Sequence, residues 1–278
     1  MSHELERLDT IDVSLVAQIA IQAGQAILDV YHSDDFNVET KADESPLTLA
    51  DRKSHQMIVS QLEMSFSDIP ILSEEGHDMT YDERSSWQQF WLVDPLDGTK
   101  EFIKKNDEFT VNIALIDHDT PVLGVIYAPA LDILYVAKKG YGAYKVEQIS
   151  DARDERLVSE TDIATNGTPL PNATERDAVK VVASRSHMSP ETEAFINDLE
   201  QEYDTVEMTS AGSSLKLCLV AEGEADYYPR YAPTMEWDTG AGHAIVAISG
   251  GTVLRTDNDE PLMYNKEHLK NPWFLAKR

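Results

Sequence analysis

Phe90-Trp91-Leu92-Val93-Asp94-Pro95-Leu96-Asp97-Gly98-Thr99 sets two carboxylates three residues apart, after an apolar run and before a Gly-Thr turn. The run Phe90 to Val93 reads as a strand that delivers Asp94 to its end. Pro95 has no N–H to donate and is expected to stop the pairing there, while Gly98 lets backbone amides approach a ligand closely. The ligand expected at such a strand end is a metal-bound phosphate. With average residue usage, an Asp-Pro-x-Asp-Gly-Thr string arises by chance in on the order of one chain of this length in several thousand, so it is read as signal.

Upstream of this stretch, apolar residues at 15, 16, 19, 20, 23, 27, 28 and 30 form close to one stripe and predict an amphipathic helix over Val13 to Tyr31. A second helix is expected from about Thr48 to Met64. The run Ile69 to Leu72 then reads as a strand ending in Ser73, Glu74 and Glu75, so carboxylates again stand at a strand end. Downstream, Thr110 to Ile116, Val122 to Tyr127, Ile133 to Ala137 and Gly142 to Val146 are β-type segments separated by Asp, Pro and Gly breaks, the spacing of an antiparallel meander.

From about residue 150 the pattern changes. Strands at Lys180 to Ala183 and Thr205 to Met208 alternate with helices at Pro190 to Glu200, N-capped by Ser189, and at Ser213 to Glu222. Further β-type runs at Ala225 to Tyr228 and Thr252 to Arg255 flank an apolar helix from about Trp237 to Ile248, ended by Gly250 and Gly251. The polar stretch Ser150 to Asp177 is the best candidate for a lobe boundary or variable insert. The division expected is an N-terminal α+β lobe over 1–150 and a smaller α/β lobe over 151–278, with a largely antiparallel N-terminal sheet and the site between the lobes. No internal repeat or low-complexity tract is present.

The chain has 278 residues, 42% apolar and 26% charged, enough for one large domain or two lobes of an ordinary globular protein. Lys and Arg number 23 against 50 Asp and Glu, a formal charge of -27 that repels nucleic-acid polymers and anionic membrane surfaces. A small anionic substrate then needs local cations, which divalent metals supply. The lone Cys218 excludes an intramolecular disulfide framework and a multi-cysteine zinc site, and its apolar setting reads as core. The first residues carry no secretory pattern, and no apolar run approaches the ~20 residues that span a bilayer. The location expected by default is the cytoplasm or the periphery of the inner membrane; oligomeric state is not readable.

Glu74, Asp94 and Asp97 each follow an apolar strand-like run and could converge at one sheet edge to bind hard divalent cations. Mg²⁺ is the natural choice, since it takes oxygen ligands and keeps positions for water and substrate phosphate. At these residues the sequence resembles the inositol monophosphatase superfamily of Mg²⁺-dependent, lithium-sensitive phosphatases. Three further segments fit: Glu74-Glu75, Ala50-Asp51, and Trp237-Asp238-Thr239-Gly240-Ala241-Gly242 followed by Gly250-Gly251. Together they cover about residues 13 to 255.

The resemblance implies an α/β (α+β) fold, a layered α-β-α-β-α sandwich of the sugar-phosphatase type. It also implies two or three Mg²⁺ ions held by Glu74, Asp94, the Leu96 carbonyl, Asp97 and Asp238, with Glu75 acting behind them or through water. Such cations neutralise the phosphate, stabilise the leaving alkoxide and lower the pKa of an attacking water. Amides of Gly98 and Thr99, at the start of a short helix, could point at phosphate oxygens. Thr99 is too weak an acid to activate water alone, and the resemblance assigns Asp51 as the carboxylate that accepts its proton. Asp51 has a second reading: with Thr48 it has capping-box spacing and could simply start a helix.

Two segments look most like the bisphosphate nucleotidase branch, whose members remove the 3′-phosphate of adenosine 3′,5′-bisphosphate: Lys41, Asp43, Ser45, Pro46, Thr48, Ala50, Asp51; and Gly212 through Lys216, Cys218, Leu219, Ala221 to Gly223, Ala225, Asp226, and Tyr228 to Arg230. The partner implied is a small bisphosphorylated nucleotide, with the 5′-phosphosulfate as a further substrate. Its second phosphate needs an anion site away from the metals. Arg230 can grip it in a bidentate fork and Lys216 offers a point charge; the lesser alternative is that Lys216 is a solvated helix residue and Arg230 pairs with a surface acid. Ser213 could donate to the same phosphate or to the ribose. His187 has both a structural and a nucleotide-contact reading, and Tyr228 and Trp237 read as packing residues that could face adenine. Inositol monophosphate and fructose 1,6-bisphosphate are the alternative substrates. The haloacid dehalogenase class also uses an acidic motif with Asp-Gly-Thr, but its Asp residues stand two apart. A non-catalytic nucleotide or metal sensor is disfavoured because all expected acids are present.

Overall fold

The computed structural model describes residues 8–33, 38–40, 46–149, 154–174, 177–183 and 188–278. Its helices are α1 (Val13–Tyr31), α2 (Leu49–Ser65), α3 (Tyr81–Arg84), α4 (Thr99–Ile103), α5 (Glu160–Asn166), α6 (Pro190–Glu202), α7 (Leu215–Glu222) and α8 (Glu236–Ile248). β1 (Glu39–Thr40) and β2 (Pro46–Leu47) form a two-stranded ribbon. A seven-stranded sheet runs in sequence order through β3 (Ile71–Ser73), β4 (Gln89–Asp97), β5 (Thr110–Asp117), β6 (Thr120–Ala128), β7 (Ile133–Lys138), β8 (Gly142–Glu147) and β9 (Thr168–Pro169). A five-stranded sheet comprises β10 (Val179–Ala183), β11 (Val206–Ser210), β12 (Tyr227–Arg230), β13 (Thr252–Arg255) and β14 (Phe274–Lys277), in the order β11-β10-β12-β14-β13.

The layers follow from which side chains each strand sends to each face. In β4, Trp91 and Val93 enter a core with α1 and α2, whereas Phe90 and Leu92 enter a second core with α7, α8 and the small sheet. Period-2 alternation between two covered faces explains why β4 reads as a continuous apolar run. The helices α7 and α8 thus fill the space between the sheets, and α6 packs on the outside of β11 and β12. This is the expected α-β-α-β-α layering, and the expected meander is β5 to β8, all antiparallel.

Close approach of α8 to the large sheet depends on small residues. A Cβ on Gly124 of β6 would lie 2.3 Å from the Ala241 carbonyl oxygen, and one on Gly242 would lie 2.4 Å from Leu217 of α7. Cys218 is fully buried in this middle layer, as expected.

Several expectations are corrected. Pro95 does not end β4: the strand continues to Asp97 through an irregularity between Asp94 and Asp97, where a residue without an N–H is tolerated. The short elements of the polar stretch after residue 150, a 3-10 turn (Glu155–Leu157), α5 and β9, are not expected from its sequence, although the first two bury Leu157 and Ile163. Two buried side chains are too few to give a periodic signal. β14 has no counterpart in the sequence reading, because a four-residue terminal strand is too short to announce itself, yet it bridges β12 and β13. Lastly, α1 has the 19-residue length and mean hydropathy of 1.4 that would suffice to cross a membrane, although 61% of its most apolar window is buried in the fold.

Candidate active site

Strand pairing assembles the carboxylates. Because β3 and β4 are parallel with Ser73 opposite Val93, the next residues, Glu74 just past the end of β3 and Asp94 within β4, stand side by side. The Glu74 N–H donates to the Val93 carbonyl at 3.1 Å. The β4 irregularity then turns Asp97 to the same side, and Asp238, in the first turn of α8, completes the group. Carboxylate oxygens of Asp94, Asp97 and Asp238 all lie within 4.8 Å of one another.

Such crowding has an electrostatic cost. Burial, then the charges of Glu74, Asp97 and Asp238, holds the Asp94 carboxyl well above the usual range. Asp238 is pushed up to about 8, by burial first and by Asp97 next, although the Met235 N–H works the other way. A hard divalent cation bound by these oxygens removes that repulsion, so the donor set fits Mg²⁺ in both chemistry and charge.

Asp51 divides its two oxygens. Oδ2 accepts from the Thr48 N–H at 2.7 Å and the Thr48 hydroxyl at 2.6 Å, the capping interaction at the start of α2. Oδ1 lies 3.2 Å from Thr99 Oγ1, which is also 3.5 Å from the Leu96 carbonyl. The Ser54 hydroxyl donates to the Pro95 carbonyl at 2.6 Å and ties α2 to the β4 irregularity. Gly98 takes a left-handed φ of 89° ahead of α4, and a Cβ there would collide with Ser213 Oγ at 2.0 Å.

A cavity of about 320 Å³ opens beside the carboxylates. Among the residues singled out in the sequence, Asp97, Gly98, Ser213, Lys216, Arg230 and Asp238 line it, whereas Asp51, Glu74, Asp94, Leu96 and Thr99 stand outside its lining. Lys216 is buried at 7% exposure, and burial lowers its ammonium to about 8. It donates to the Ser213 carbonyl at 2.7 Å and sits 5.8 Å from the centre of the Tyr228 ring. Arg230 donates to the Pro233 carbonyl at 3.0 Å, while its Nε is buried without a hydrogen-bond partner among the described residues. The Ser213 hydroxyl stands 2.7 Å from the Glu108 carbonyl and 2.9 Å from that of Asp97, so its one proton is directed to the backbone. Tyr228 is buried edge-on to Phe274 and also lines the cavity, and Trp237 packs against the middle layer.

His187 lies outside the described residues, as do Lys41, Asp43, Ser45 and the neighbours of His187 from Ser184 on. Sequence reasoning missed other members of the site. Asn112 faces Asp94 across β4 and β5, and Ser214 touches Asp97, but neither belongs to an acidic or basic signal. Glu101 of α4 and Lys104, Asn106 and Glu108 of the segment that follows it also line the cavity.

The inositol monophosphatase family model matches residues 5–277. A relative from Shigella flexneri named 3′(2′),5′-bisphosphate nucleotidase CysQ is 45% identical over 267 residues, covering 93% of this chain and 96% of its own. A crystal structure of CysQ from Bacteroides thetaiotaomicron superposes with a TM-score of 0.87 at 50% identity, over 96% of this chain and 98% of that one. A Thermotoga maritima IMPase shares the fold, with a TM-score of 0.68 at 22% identity over 98% of this chain and 92% of its own. A family match over nearly the whole length, close relatives covered almost end to end and an acidic cluster at the strand edge lead to one conclusion: the chain belongs to the inositol monophosphatase family and is a phosphatase.

Proposed function

We propose that this chain is a Mg²⁺-dependent 3′(2′),5′-bisphosphate nucleotidase that hydrolyses the 3′-phosphate of adenosine 3′,5′-bisphosphate, leaving AMP, and also accepts the 5′-phosphosulfate analogue. The observation that carries the reading is one cavity lined both by Asp97 and Asp238 and by two basic groups, buried Lys216 and the unpartnered Nε of Arg230. A substrate with two phosphates suits a cavity that offers both a cation-binding acidic cluster and basic groups. The relatives named CysQ support the same substrate class.

In this reading Glu74, Asp94, the Leu96 carbonyl, Asp97 and Asp238 hold the cations. Bound Mg²⁺ supplies charge neutralisation for the phosphoryl group and acidifies the attacking water. The Thr99 hydroxyl positions that water, and Asp51 Oδ1, 3.2 Å away, receives the proton that Thr99 passes on. Asp51 stays oriented because its other oxygen is fixed by Thr48. Lys216 and Arg230 hold the distal phosphate, with Gly98 and Ser213 lining the same cavity. The lobes 1–150 and 151–278 contribute the metal residues and the distal grip respectively, apart from Asp238.

Turnover with Mg²⁺ is expected to place adenosine 3′,5′-bisphosphate well ahead of inositol 1-phosphate and fructose 1,6-bisphosphate, and Asp94→Asn is expected to abolish it with circular dichroism unchanged. Equal rates on the three phosphates sink the nucleotidase assignment, and an active Asp94→Asn enzyme sinks the metal mechanism.

A further inference from the structure

We propose that Ser214, held from behind by Asn112, is a positioning residue that orients the Asp97 carboxylate and ties it to the start of α8, leaving the other Asp97 oxygen for a divalent cation. The inference rests on the metal-site reading given above.

The argument is one of hydrogen-bond direction. Thr110 Oγ1 donates to Asn112 Oδ1 at 2.9 Å, which turns the amide nitrogen of Asn112 toward Ser214. Asn112 Nδ2 then donates to Ser214 Oγ at 2.9 Å. Having accepted that bond, the Ser214 hydroxyl has one hydrogen left and two acceptors, Asp97 Oδ2 and the Asp238 carbonyl, each at 2.8 Å. Thr110, Asn112 and Ser214 are 0%, 1% and 3% exposed, so the three side chains that form the relay are themselves buried.

The relay links every element that brings a carboxylate from the Asp94–Asp97 stretch or α8 to the site. Thr110 and Asn112 sit on β5, opposite Asp97 and Asp94 of β4, while Ser214 immediately precedes α7. A serine at that place ordinarily caps its own helix, yet Ser214 makes no side-chain capping bond. Its hydroxyl is committed to Asp97 and Asp238 instead. Groups that brace metal ligands in this way usually change metal affinity when removed, typically by about 10–100-fold.

The test is calorimetric titration of the substrate-free protein with MgCl₂, alongside its metal-free melting temperature. Ser214→Ala is expected to weaken Mg²⁺ binding by about 10–100-fold, with Ser214→Thr restoring it because the hydroxyl returns. With Mg²⁺ saturating, KM for adenosine 3′,5′-bisphosphate should stay near that of the wild type in Ser214→Ala. Should Ser214→Ala fail to fold, Ser214→Cys, close in size and a weak donor, is expected to show the same loss. Unchanged Mg²⁺ affinity in the variant overturns the inference, as does a loss that Ser214→Thr does not recover or an effect confined to KM. A wild-type protein that takes up no Mg²⁺ overturns the metal-site reading itself, an outcome distinct from wild-type binding matched by Ser214→Ala.

Discussion

Asp51 satisfies both roles that its position in the sequence allows, because a carboxylate has two oxygens and the fold gives each a different neighbour. Spacing alone shows the Thr48 partner, which is local, and hides Thr99, which is 48 residues away. Lys216 is a stronger case of context acting on one side chain. In an exposed helix its ammonium would persist far above neutrality, but burial brings it to about 8. Above that pH the free enzyme loses the proton, and the cation proposed to meet the distal phosphate is lost with it. The kcat/KM for adenosine 3′,5′-bisphosphate is therefore expected to fall as pH rises past about 8, with a smaller change for inositol 1-phosphate, which lacks a second phosphate. Lys216→Ala should remove that limb and raise KM about 10–100-fold, the worth of a hydrogen bond to a charged group. A high-pH limb that survives in Lys216→Ala assigns the titration elsewhere.

The helix α8 joins the two sheets and carries Asp238 in its first turn. Its position is set by absent side chains as much as by present ones: Gly240, Ala241 and Gly242 let it settle between Gly124 of the large sheet and Leu217 of α7. The same turn is held by Glu236, fully buried, which accepts from the Asn265 and Lys266 N–H groups at 2.7 and 3.0 Å and from Lys266 Nζ at 2.6 Å. A methyl group at residue 124 would press on the Ala241 backbone, which cannot rotate away as a side chain can. Gly124→Ala is accordingly expected to cost about 1–3 kcal/mol in denaturant unfolding, and to weaken Mg²⁺ binding because Asp238 moves with the helix. Unfolding midpoints and Mg²⁺ titrations equal to those of the wild type would show that α8 accommodates the methyl by shifting without consequence. The sequence shows an apolar helix ended by Gly250 and Gly251, but which surface Gly240 and Gly242 meet depends on what packs against it.

The whole molecule carries a formal charge of -27, and much of it repels itself. Raising NaCl from about 0.01 M to about 0.15 M shortens the screening length from about 30 Å to about 8 Å, so the metal-free melting temperature should rise. Mg²⁺ at matched ionic strength should raise it further, since binding to the folded form adds to stability. A melting temperature indifferent to both, measured by differential scanning fluorimetry, contradicts the account of the acidic cluster. Much of the molecule was legible before any coordinates: α1, α2, α6 and α8, the β5 to β8 meander, the middle-layer Cys218 and the acidic edge all announce themselves through local periodicity, caps and turns. These depend on neighbours along the chain, so the linear order of residues determines them. Contacts between remote segments are different. The irregular continuation of β4 past Pro95, the β14 bridge, the Thr110–Asn112–Ser214 relay and the cavity that joins Asp238 to Lys216 all depend on strand register and on how closely helices approach sheets. Short-range patterns carry no record of either; packing two covered sheet faces around α7 and α8 settles both.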